Sequence, residues 1–530
     1  NGFMKNKGRL GVAISKDGVV IMDESHNAAG VNAAGELSNT AHALFRMINN
    51  SAMTTYVSAT FAKRASSMPL YSKKTSIRES GIEDSDMILA FNEGGNALQE
   101  AVATELTKNG QLLRREKQLD FLSEYYYEEE NSQIGQNQIN KLDRVANLIG
   151  LVDSFASSVS NAFSKYKKRV KDMGLDDLAE QEDKVSNVKY AGSIGRLKWI
   201  IFNYFLIGLK VNQTADAAIK KLGNGRKTVI AIASTMESAF NNLTKTFRGR
   251  GSKDGYEVGD IIKNDFLLYI AYLLEYSTQF WIVKKVVSDN GDINYVRVKE
   301  SFLNCENKHV AQVAGSFTTE YNRLLSRILE SQSTGISISP IDMIQRIIIE
   351  NGYSIAEITG RQKGLKFDGE NTENGTITKR QKKDTTQVIA DFNENKIDAL
   401  IINQSGATGV SMHAIKSGQA QIVDKTPPSQ LGDKKKVYAR AMVITQLELD
   451  VNKAVQVLGR INRTGQVYPP EYTYVISASG TLGTTDVVRM TLGGAVTKPL
   501  QPAFHYFNKW GWFIDRERSK INKNALHQFK

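Results

Sequence analysis

The stretch that decides the fold of this chain is Gln456-Val457-Leu458-Gly459-Arg460-Ile461-Asn462-Arg463-Thr464-Gly465-Gln466. Six of its residues follow the spacing Gln-x-x-Gly-Arg-x-x-Arg-x-Gly-Gln, a pattern too specific to arise often by chance. A helical segment places Arg460 and Arg463 one turn apart on one face. Two guanidinium groups in that arrangement can reach a triphosphate held on another lobe. A surface helix with two arginines leaves the flanking glutamines and glycines unexplained, so the pattern favours nucleotide chemistry.

An acidic tetrad, Asp23-Glu24-Ser25-His26, lies far upstream of this motif. The apolar run before it, residues 18–22, predicts a buried parallel strand that ends at these carboxylates. Ligands of open α/β sheets bind at such strand ends. The first acid can orient the water shell of Mg²⁺, and the second can polarise the water that attacks a γ-phosphate. The tetrad alone is a weak signal, because most Asp-Glu pairs are solvated.

A strand–helix–strand unit connects the tetrad to Ser58-Ala59-Thr60. Residues 36–49 have a helical pattern, and residues 54–58 predict a second strand, so the two strands belong to one parallel sheet. Small hydroxyl residues at the end of that strand can couple a phosphate site to an interlobe contact. The tripeptide by itself carries no functional information.

A second region of alternating strands and helices begins near Lys227. Its predicted strands are 228–233, 353–358, 399–402, 438–445 and 472–476, and its predicted helices include those opening at 235 and spanning 340–351, 384–395 and 450–458. Residues 362–383 are predicted to form a polar loop. Residues 98–188 are predicted to be mostly helical, including 125–130, and residues 247–320 to be aromatic-rich helices with a hairpin around 289–292.

Composition and charge limit the class of protein. The chain has 530 residues, 41% of them apolar, and carries 68 Lys and Arg against 56 Asp and Glu, a net charge of +12 that weakly favours a polyanionic partner. The single cysteine, Cys305, excludes an intrachain disulfide framework and a zinc site made only of cysteines. Two apolar stretches, 199–211 and 265–283, are interpreted as buried helices, because polar residues interrupt them.

A basic run at Lys165, Lys167, Lys168, Arg169 and Lys171 has two interpretations. It is either the solvated face of a helix or a surface that contacts phosphate, and both remain open at this point.

The three motifs, in this order, resemble those of superfamily-two helicases and translocases, and more narrowly the Strawberry notch helicase-like family. Asp23 to His26 resembles the acidic Walker B motif, residues 58–60 the Ser-Ala-Thr motif, and residues 456–466 the arginine motif of the second lobe. Further stretches that resemble the family are 20–27, 56–60, the Met-Pro-Leu-Tyr region after them, 225–230, 234–238, 356–361, 402–414 and 470–477.

The resemblance implies an α/β fold with two RecA-like parallel-sheet lobes, the first one N-terminally truncated, and helical insertions. It divides the chain into 1–120, a partial first lobe; 121–200, a helical connecting region; 201–246, the start of the second lobe; 247–330, a helical insertion; 331–500, the remainder of the second lobe; and 501–530, a tail.

The resemblance also assigns roles to residues. Asp23 would hold Mg²⁺, Glu24 would activate water, and Arg460 and Arg463 would contact the γ-phosphate of ATP, which makes these four the catalytic candidates. The nucleotide-binding candidates are His26, Gly406, Thr408, Gly409, Gln456 and Gly459. Ser234, Thr235 and Thr60 are the nucleic-acid-binding candidates, since hydroxyl groups can donate to backbone phosphates.

One departure from the family is large. No Gly-x-x-x-x-Gly-Lys-Ser/Thr sequence occurs in the 530 residues, so this chain alone is expected to hydrolyse ATP poorly or not at all. The first hypothesis is part of a nucleic-acid-dependent ATPase that moves on or remodels DNA. The alternative is a non-catalytic nucleic-acid-binding or structural scaffold on a degenerate motor fold. DNA is favoured over RNA as partner, the helical insertions are candidate protein-docking surfaces, and no membrane is expected. The setting is expected to be cytoplasmic or another reducing compartment, with a mobile-element origin open.

Overall fold

Two units make up the chain, Asn1–Leu119 and Asp120–Lys530. The structure, a computed structural model, describes residues 11, 13, 15–23, 25, 39–58, 65–113, 122–127, 131–176, 180–233, 235, 237–246, 256–288, 292–381, 384–403, 410–415, 421–422, 436–446 and 456–477.

The described elements of the first unit are β1 (Val19–Met22), α1 (Asn39–Asn50), β2 (Met53–Tyr56), α2 (Met68–Ser72) and α3 (Asp84–Lys108). Those of the second unit are β3 (Leu122–Tyr127), α4 (Gln133–Asp172), β4 (Lys189–Tyr190), α5 (Gly195–Leu209), α6 (Val211–Gly223), β5 (Arg226–Ala231), α7 (Glu237–Thr246), β6 (Ile261–Lys263), α8 (Leu267–Tyr276), β7 (Gln279–Val287), β8 (Ile293–Ser301), α9 (Lys308–Leu329), α10 (Pro340–Glu350), β9 (Ile355–Ile358), β10 (Lys363–Lys366), β11 (Asn374–Lys379), α11 (Thr385–Asn393), β12 (Ala399–Ile402), β13 (Gln421–Ile422), β14 (Lys436–Val437), β15 (Ala439–Ile444) and β16 (Glu471–Ile476).

The first unit contains the predicted strand–helix–strand arrangement. β1 and β2 pair in parallel, with Val19 opposite Met53 and Met22 opposite Tyr56. Met22 packs on Phe45 of α1 in a small core, which explains the side of the sheet that α1 covers. The prediction that β1 is a buried strand is wrong for Val19 and Ile21, which are 63% and 70% exposed. Alternate residues of a strand point to opposite faces, and only one face of β1 is covered.

The second unit is organised around a six-stranded sheet in the order β3-β16-β15-β5-β12-β9. All five pairings are parallel. Its central strands are rich in β-branched residues and nearly all their side chains are buried, as expected when helices cover both faces. β12 has the predicted bounds, and the fold class is α/β, as predicted.

Both faces of this sheet carry a helical layer. On one face, Val229 and Leu400 pack against Phe392 of α11 and Leu458. On the other, Ile230 and Ile401 belong to a core that includes residues of α6 and α10. This alternation brings the loops that follow β5, β12, β15 and β16 to the same edge of the sheet, since the carboxyl ends of parallel strands lie together.

The prediction that 125–130 lies in a helical region is wrong at 125–127. Residues 122–127 form β3, the edge strand of the sheet, where Tyr125 lies opposite Tyr474. Glu124 accepts a hydrogen bond of 2.9 Å from Thr473 and contacts the Nζ of Lys221 at 2.7 Å. The pairing joins residues about 350 positions apart, which local pattern cannot reveal. The finer predicted division into domains stays a prediction.

Residues 362–383, predicted to be a loop, contain a hairpin. β10 and β11 pair antiparallel, and β11 also pairs with β6, about 110 residues earlier in the chain. Polar composition suggested a loop, but these strands are short and amphipathic, with Leu365 and Ile377 buried in the main core of the unit. The prediction is therefore wrong for 363–366 and 374–379.

A mostly helical body formed by α4, α5, α8 and α9 surrounds the largest core of the protein. The side chain of Asn307 caps α9 by accepting bonds of 3.1 and 3.3 Å from the amides of His309 and Val310. The predicted hairpin around 289–292 is confirmed, since β7 and β8 pair up to Val287 and Ile293. The predicted buried helix at 265–283 is correct only over α8, because β7 begins at Gln279. Among the described residues, no helix is long and apolar enough to cross a membrane.

Candidate nucleotide site

The acidic tetrad and the Ser-Ala-Thr motif lie side by side in the first unit. The amide of Val57 donates to the carbonyl of Met22 at 2.8 Å, and the amide of Ser25 donates to the carbonyl of Val57 at 3.1 Å. The parallel register of β1 and β2 thus continues past the strand ends. Asp23 lies in the turn that follows β1. The register therefore brings the two motifs to one edge, as the sequence predicts.

Tyr71 joins these two motifs through its hydroxyl group. Its oxygen lies 3.1 Å from the hydroxyl of Ser25, and the ring is almost fully buried. Burial raises the pKa of Tyr71, and hydrogen bonds with Ser25 and Ser58 partly offset that effect. Tyr71 belongs to the Met-Pro-Leu-Tyr region, whose sequence resembles the family but predicts no role for this residue. The structure makes it the residue that holds the ends of β1 and β2 together.

Several predicted residues of this site lie outside the described residues, namely Glu24, His26 and Thr60. Asp23 is the described member, at the carboxyl end of a parallel strand. A carboxylate there is a ligand that suits Mg²⁺, which prefers oxygen donors. No cluster of three or more metal-ligating side chains occurs among the described residues.

The arginine motif lies in the second unit, and its two arginines converge on one atom. Arg460 donates through Nη1 to the carbonyl oxygen of Val410 at 3.2 Å, and Arg463 donates through Nη2 to the same oxygen at 3.3 Å. The two arginines lie together as predicted, but the prediction that a helix aligns them is wrong, because the helical residues 456–458 end before Arg460. A turn aligns them instead.

This turn is held by backbone pairing with residues 410–415. The amide of Met412 donates to the carbonyl of Arg460 at 2.9 Å, and the amide of Val467 donates to the carbonyl of Ala414 at 2.7 Å. Gln466 accepts a hydrogen bond of 3.0 Å from the amide of Arg463. Gly465 has a φ of +88°, a backbone conformation that side-chain-bearing residues adopt rarely. The glycine and glutamine of the motif therefore shape the turn that orients the arginines.

The other predicted residues of the second unit have mixed outcomes. Gln456 and Gly459 lie within the described motif, and Thr235 is half-buried just after β5. Gly406, Thr408, Gly409 and Ser234 lie outside the described residues. Val410 directly follows the glycine-rich segment 404–409, so the two arginines contact the chain where that segment ends.

Two family models match this chain. One, described as the C-terminal domain on Strawberry notch homologue, matches residues 342–485. The other, described as P-loop containing NTP hydrolase pore-1, matches residues 12–144. Over these residues the chain is similar to the Strawberry notch helicase-like family. At the level of the two family models, the matches support a helicase-like NTPase.

Other similarities of this Strawberry notch-like chain are remote. No curated protein matches it. Among solved structures, the crystal structure of the Pyrococcus furiosus Hef helicase domain is similar, with 11% sequence identity and a TM-score of 0.29, over 90% of this chain and 75% of that chain. Because that score is low, the family assignment depends on the two sequence models.

A buried ionic cluster supports the edge of the Strawberry notch domain. Arg361 donates to both carboxylate oxygens of Asp342, at 2.8 and 2.6 Å, and to Glu357 at 2.8 Å. Burial opposes the charge of Arg361, but the two carboxylates outweigh it and raise the pKa of the guanidinium. Arg380 contacts Glu357 at 2.8 Å and so supplies a second positive charge.

This cluster continues to the loop after β5. The amide of Gln362, next to Arg361, donates to Glu237 at 3.0 Å. Glu237 begins α7 and ends the segment 234–237 that contains the nucleic-acid-binding candidates Ser234 and Thr235. The stretch 356–361, which resembles the family, thus anchors the segment 234–237 at Glu237 through the adjoining Gln362.

Lys210 is a residue at the carboxyl edge of the six-stranded sheet that the sequence did not single out. Its Nζ donates to the carbonyl of Thr445, just after β15, and to the carbonyl of Val475 in β16 at 3.1 Å. Burial lowers the pKa of Lys210 to about 8. Its position between the apolar helix α5 and the amphipathic helix α6 concealed this role in the sequence.

We expect Lys210 to make unfolding depend on pH in a defined window. Between about pH 8 and 10.5 the unfolded chain binds a proton that the folded chain does not. The free energy of unfolding should therefore rise with pH across this window, by roughly 3 kcal/mol at its upper end, and should gain nothing from this group below pH 8. Urea unfolding from pH 7 to 10.5 should show this rise in the wild type and not in Lys210→Met.

The exposed Lys220 on α6 supplies the matched control, because Lys220→Met removes one positive charge from the same helix without removing a buried group. If the free energy of unfolding depends on pH in the same way in the wild type and in Lys210→Met, burial does not perturb the pKa of Lys210.

Proposed function

We propose that this protein is part of a nucleic-acid-dependent ATPase of the helicase or translocase type, which couples ATP hydrolysis to movement on or remodelling of DNA. The observation that carries the proposal is the convergence of Arg460 and Arg463 on the carbonyl of Val410, within a matched Strawberry notch domain. Two guanidinium groups fixed in one place form a receptor for phosphate, because their planar forks match its oxygens.

We assign the metal-binding and water-activating roles of the proposed reaction to residues of the first unit. Asp23 would hold Mg²⁺ through its carboxylate, and Glu24 would polarise the attacking water. Bound Mg²⁺ neutralises charge on the β- and γ-phosphates. The hydroxyl group of Tyr71 keeps the strand ends that carry these acids in register through Ser25 and Ser58. Arg460 and Arg463 would stabilise the charge that develops on the γ-phosphate, and Thr235 and Ser234 would contact the nucleic-acid backbone.

Phosphate release from Mg-ATP by the protein from its natural gene tests the proposal. We expect single-stranded or duplex DNA to stimulate release, and Glu24→Gln to reduce it by about 10²-fold or more while nucleotide binding persists, since positioned proton transfer contributes that much. Glu79→Gln is the matched control, because Glu79 is an exposed carboxylate of the same unit.

Two results would count against a motor. Nucleic-acid binding without nucleotide binding would favour a scaffold built on this fold. Phosphate release that Glu24→Gln leaves unchanged would show that the acidic tetrad does not carry the chemistry.

A further inference from the structure

The hairpin of β7 and β8 presents two chemically different faces. Residues directly opposite in an antiparallel pair share a face, and the side alternates along each strand. Phe280 and Ile282 are buried in the main core, so their side of the hairpin is the inner one. We define the outer hairpin face as the residues in the alternate register, namely Trp281, Val283, Lys285, Val287, Ile293, Tyr295, Arg297 and Lys299, together with Lys189 of β4, which lies opposite Trp281.

Charge is segregated between the two faces. The outer hairpin face carries four cations, Lys189, Lys285, Arg297 and Lys299, and none of the residues that define it is acidic. Glu300 lies in the inner register and forms an ion pair with Lys284 there. The hairpin therefore directs its partnered charges to one side and a cluster of like charges to the other. The like charges of such a cluster repel one another unless a polyanion neutralises them.

The basic run of α4 adjoins this cluster. Lys167 donates through Nζ to the carbonyl of Val188 at 2.8 Å, immediately before Lys189. Burial lowers the pKa of Lys167, and the positive charges of Lys171, Arg297 and Lys189 lower it further, while Asp176 acts in the opposite direction. The run and the outer hairpin face thus form one positive surface, which favours the phosphate-contact interpretation of the run.

Two aromatic rings are exposed among these cations. Trp281 is 37% exposed and Tyr295 is 48% exposed. The guanidinium of Arg297 lies 5.9 Å from the centre of the Trp281 ring. Exposed rings interleaved with Lys and Arg form the kind of surface on which unpaired bases stack while cations follow the backbone.

We propose that the outer hairpin face binds single-stranded nucleic acid. The cations contact backbone phosphates, and Trp281 and Tyr295 stack on unpaired bases. A duplex keeps its bases paired and stacked, so it offers these rings no face. The inference deepens the proposed function, on which it depends, by adding a strand-binding surface on the sheet of β4, β7 and β8.

Fluorescence anisotropy with a labelled oligothymidylate tests the proposal on the full chain, with a duplex of equal length as the comparison. We expect Tyr295→Ala and Trp281→Ala each to weaken binding to the single strand about tenfold and to leave duplex binding nearly unchanged. Lys285→Gln should weaken binding and reduce the salt dependence by about one phosphate contact. Lys284→Gln is the matched control, because it is the adjacent residue on the opposite face and should bind as the wild type does.

Two further comparisons keep the test decisive. Trp281→Phe retains an aromatic ring and should bind the single strand nearly as the wild type does. If only Trp281→Ala loses affinity, the loss reflects the missing ring and not misfolding. Unchanged oligonucleotide affinity in Tyr295→Ala and Lys285→Gln would overturn the proposal, as would equal losses with Lys284→Gln. If the affinity for the oligonucleotide is unchanged in these variants while DNA still stimulates phosphate release and Glu24→Gln abolishes that release, the hairpin proposal fails while the proposed function stands.

Discussion

Arg463→Ala is expected to reduce the nucleic-acid-stimulated ATP hydrolysis of the protein from its natural gene by about 10³-fold or more, and Arg460→Ala by a similar factor. An arginine that stabilises transferring phosphate contributes on that scale. The structure positions both side chains at the carbonyl of Val410, so the two guanidinium groups lie beside each other. Steady-state phosphate release at saturating Mg-ATP and DNA measures the effect.

Lysine substitution separates charge from geometry. Arg463→Lys keeps a positive charge but loses the planar fork, so its rate should fall nearly as far as that of Arg463→Ala. Arg323→Ala on α9 is the matched control, since Arg323 is exposed and far along the chain from the motif. If Arg460→Ala and Arg463→Ala both hydrolyse ATP at the wild-type rate, the two arginines do not take part in the reaction.

Arg361→Ala is expected to lower the stability of the second unit by about 3–5 kcal/mol. The change leaves Asp342 and Glu357 buried with Arg380 as the remaining cation, and an unpaired buried carboxylate is costly. Tryptophan fluorescence during urea unfolding measures this unit specifically, because all four tryptophans lie after residue 119.

Lys396→Ala serves as the comparison for that experiment. Lys396 also forms two ion pairs, with Asp391 and Glu394, but they lie at the surface. Solvent screens such pairs, so the unfolding midpoint should stay close to that of the wild type. Equal midpoints for Arg361→Ala and the wild type would mean that the buried cluster is dispensable. A lower affinity for DNA in a still folded Arg361→Lys would connect the cluster to the loop that ends at Glu237.

Sequence pattern was sufficient for elements with a strong local signal, whether or not their partners are near in the chain. The alternation of strands and helices from 226 to 476 follows from β-branched runs and helical periodicity, and β12 was predicted at its observed bounds. β3 and the β10–β11 hairpin were missed, because their segments are rich in tyrosine or polar residues, while β3 and β11 also pair with strands about 110 or more residues away. Tyrosine-rich and polar segments of that kind become strands only when a sheet edge is available to them.

The candidate site shows the same limit. Arg460 and Arg463 were identified from spacing, but a turn shaped by Gly465 brings them together, whereas the prediction relied on a helix. Tyr71 and Lys210 were not assigned roles, since a tyrosine in an apolar segment and a lysine between two helices have no distinctive pattern.

By itself the sequence determined the family, the alternation of the parallel sheets and the identity of the motif residues, because short-range spacing and hydrophobic periodicity encode those features. Only the tertiary structure decided which side chains meet. The hydroxyl of Tyr71 reaches Ser25 46 residues away, Lys210 reaches the ends of β15 and β16, and the register of β7 with β8 sorts cations from acids. Such contacts depend on how separate elements pack and on which buried polar groups require a hydrogen-bond partner. Short-range sequence pattern encodes neither of these.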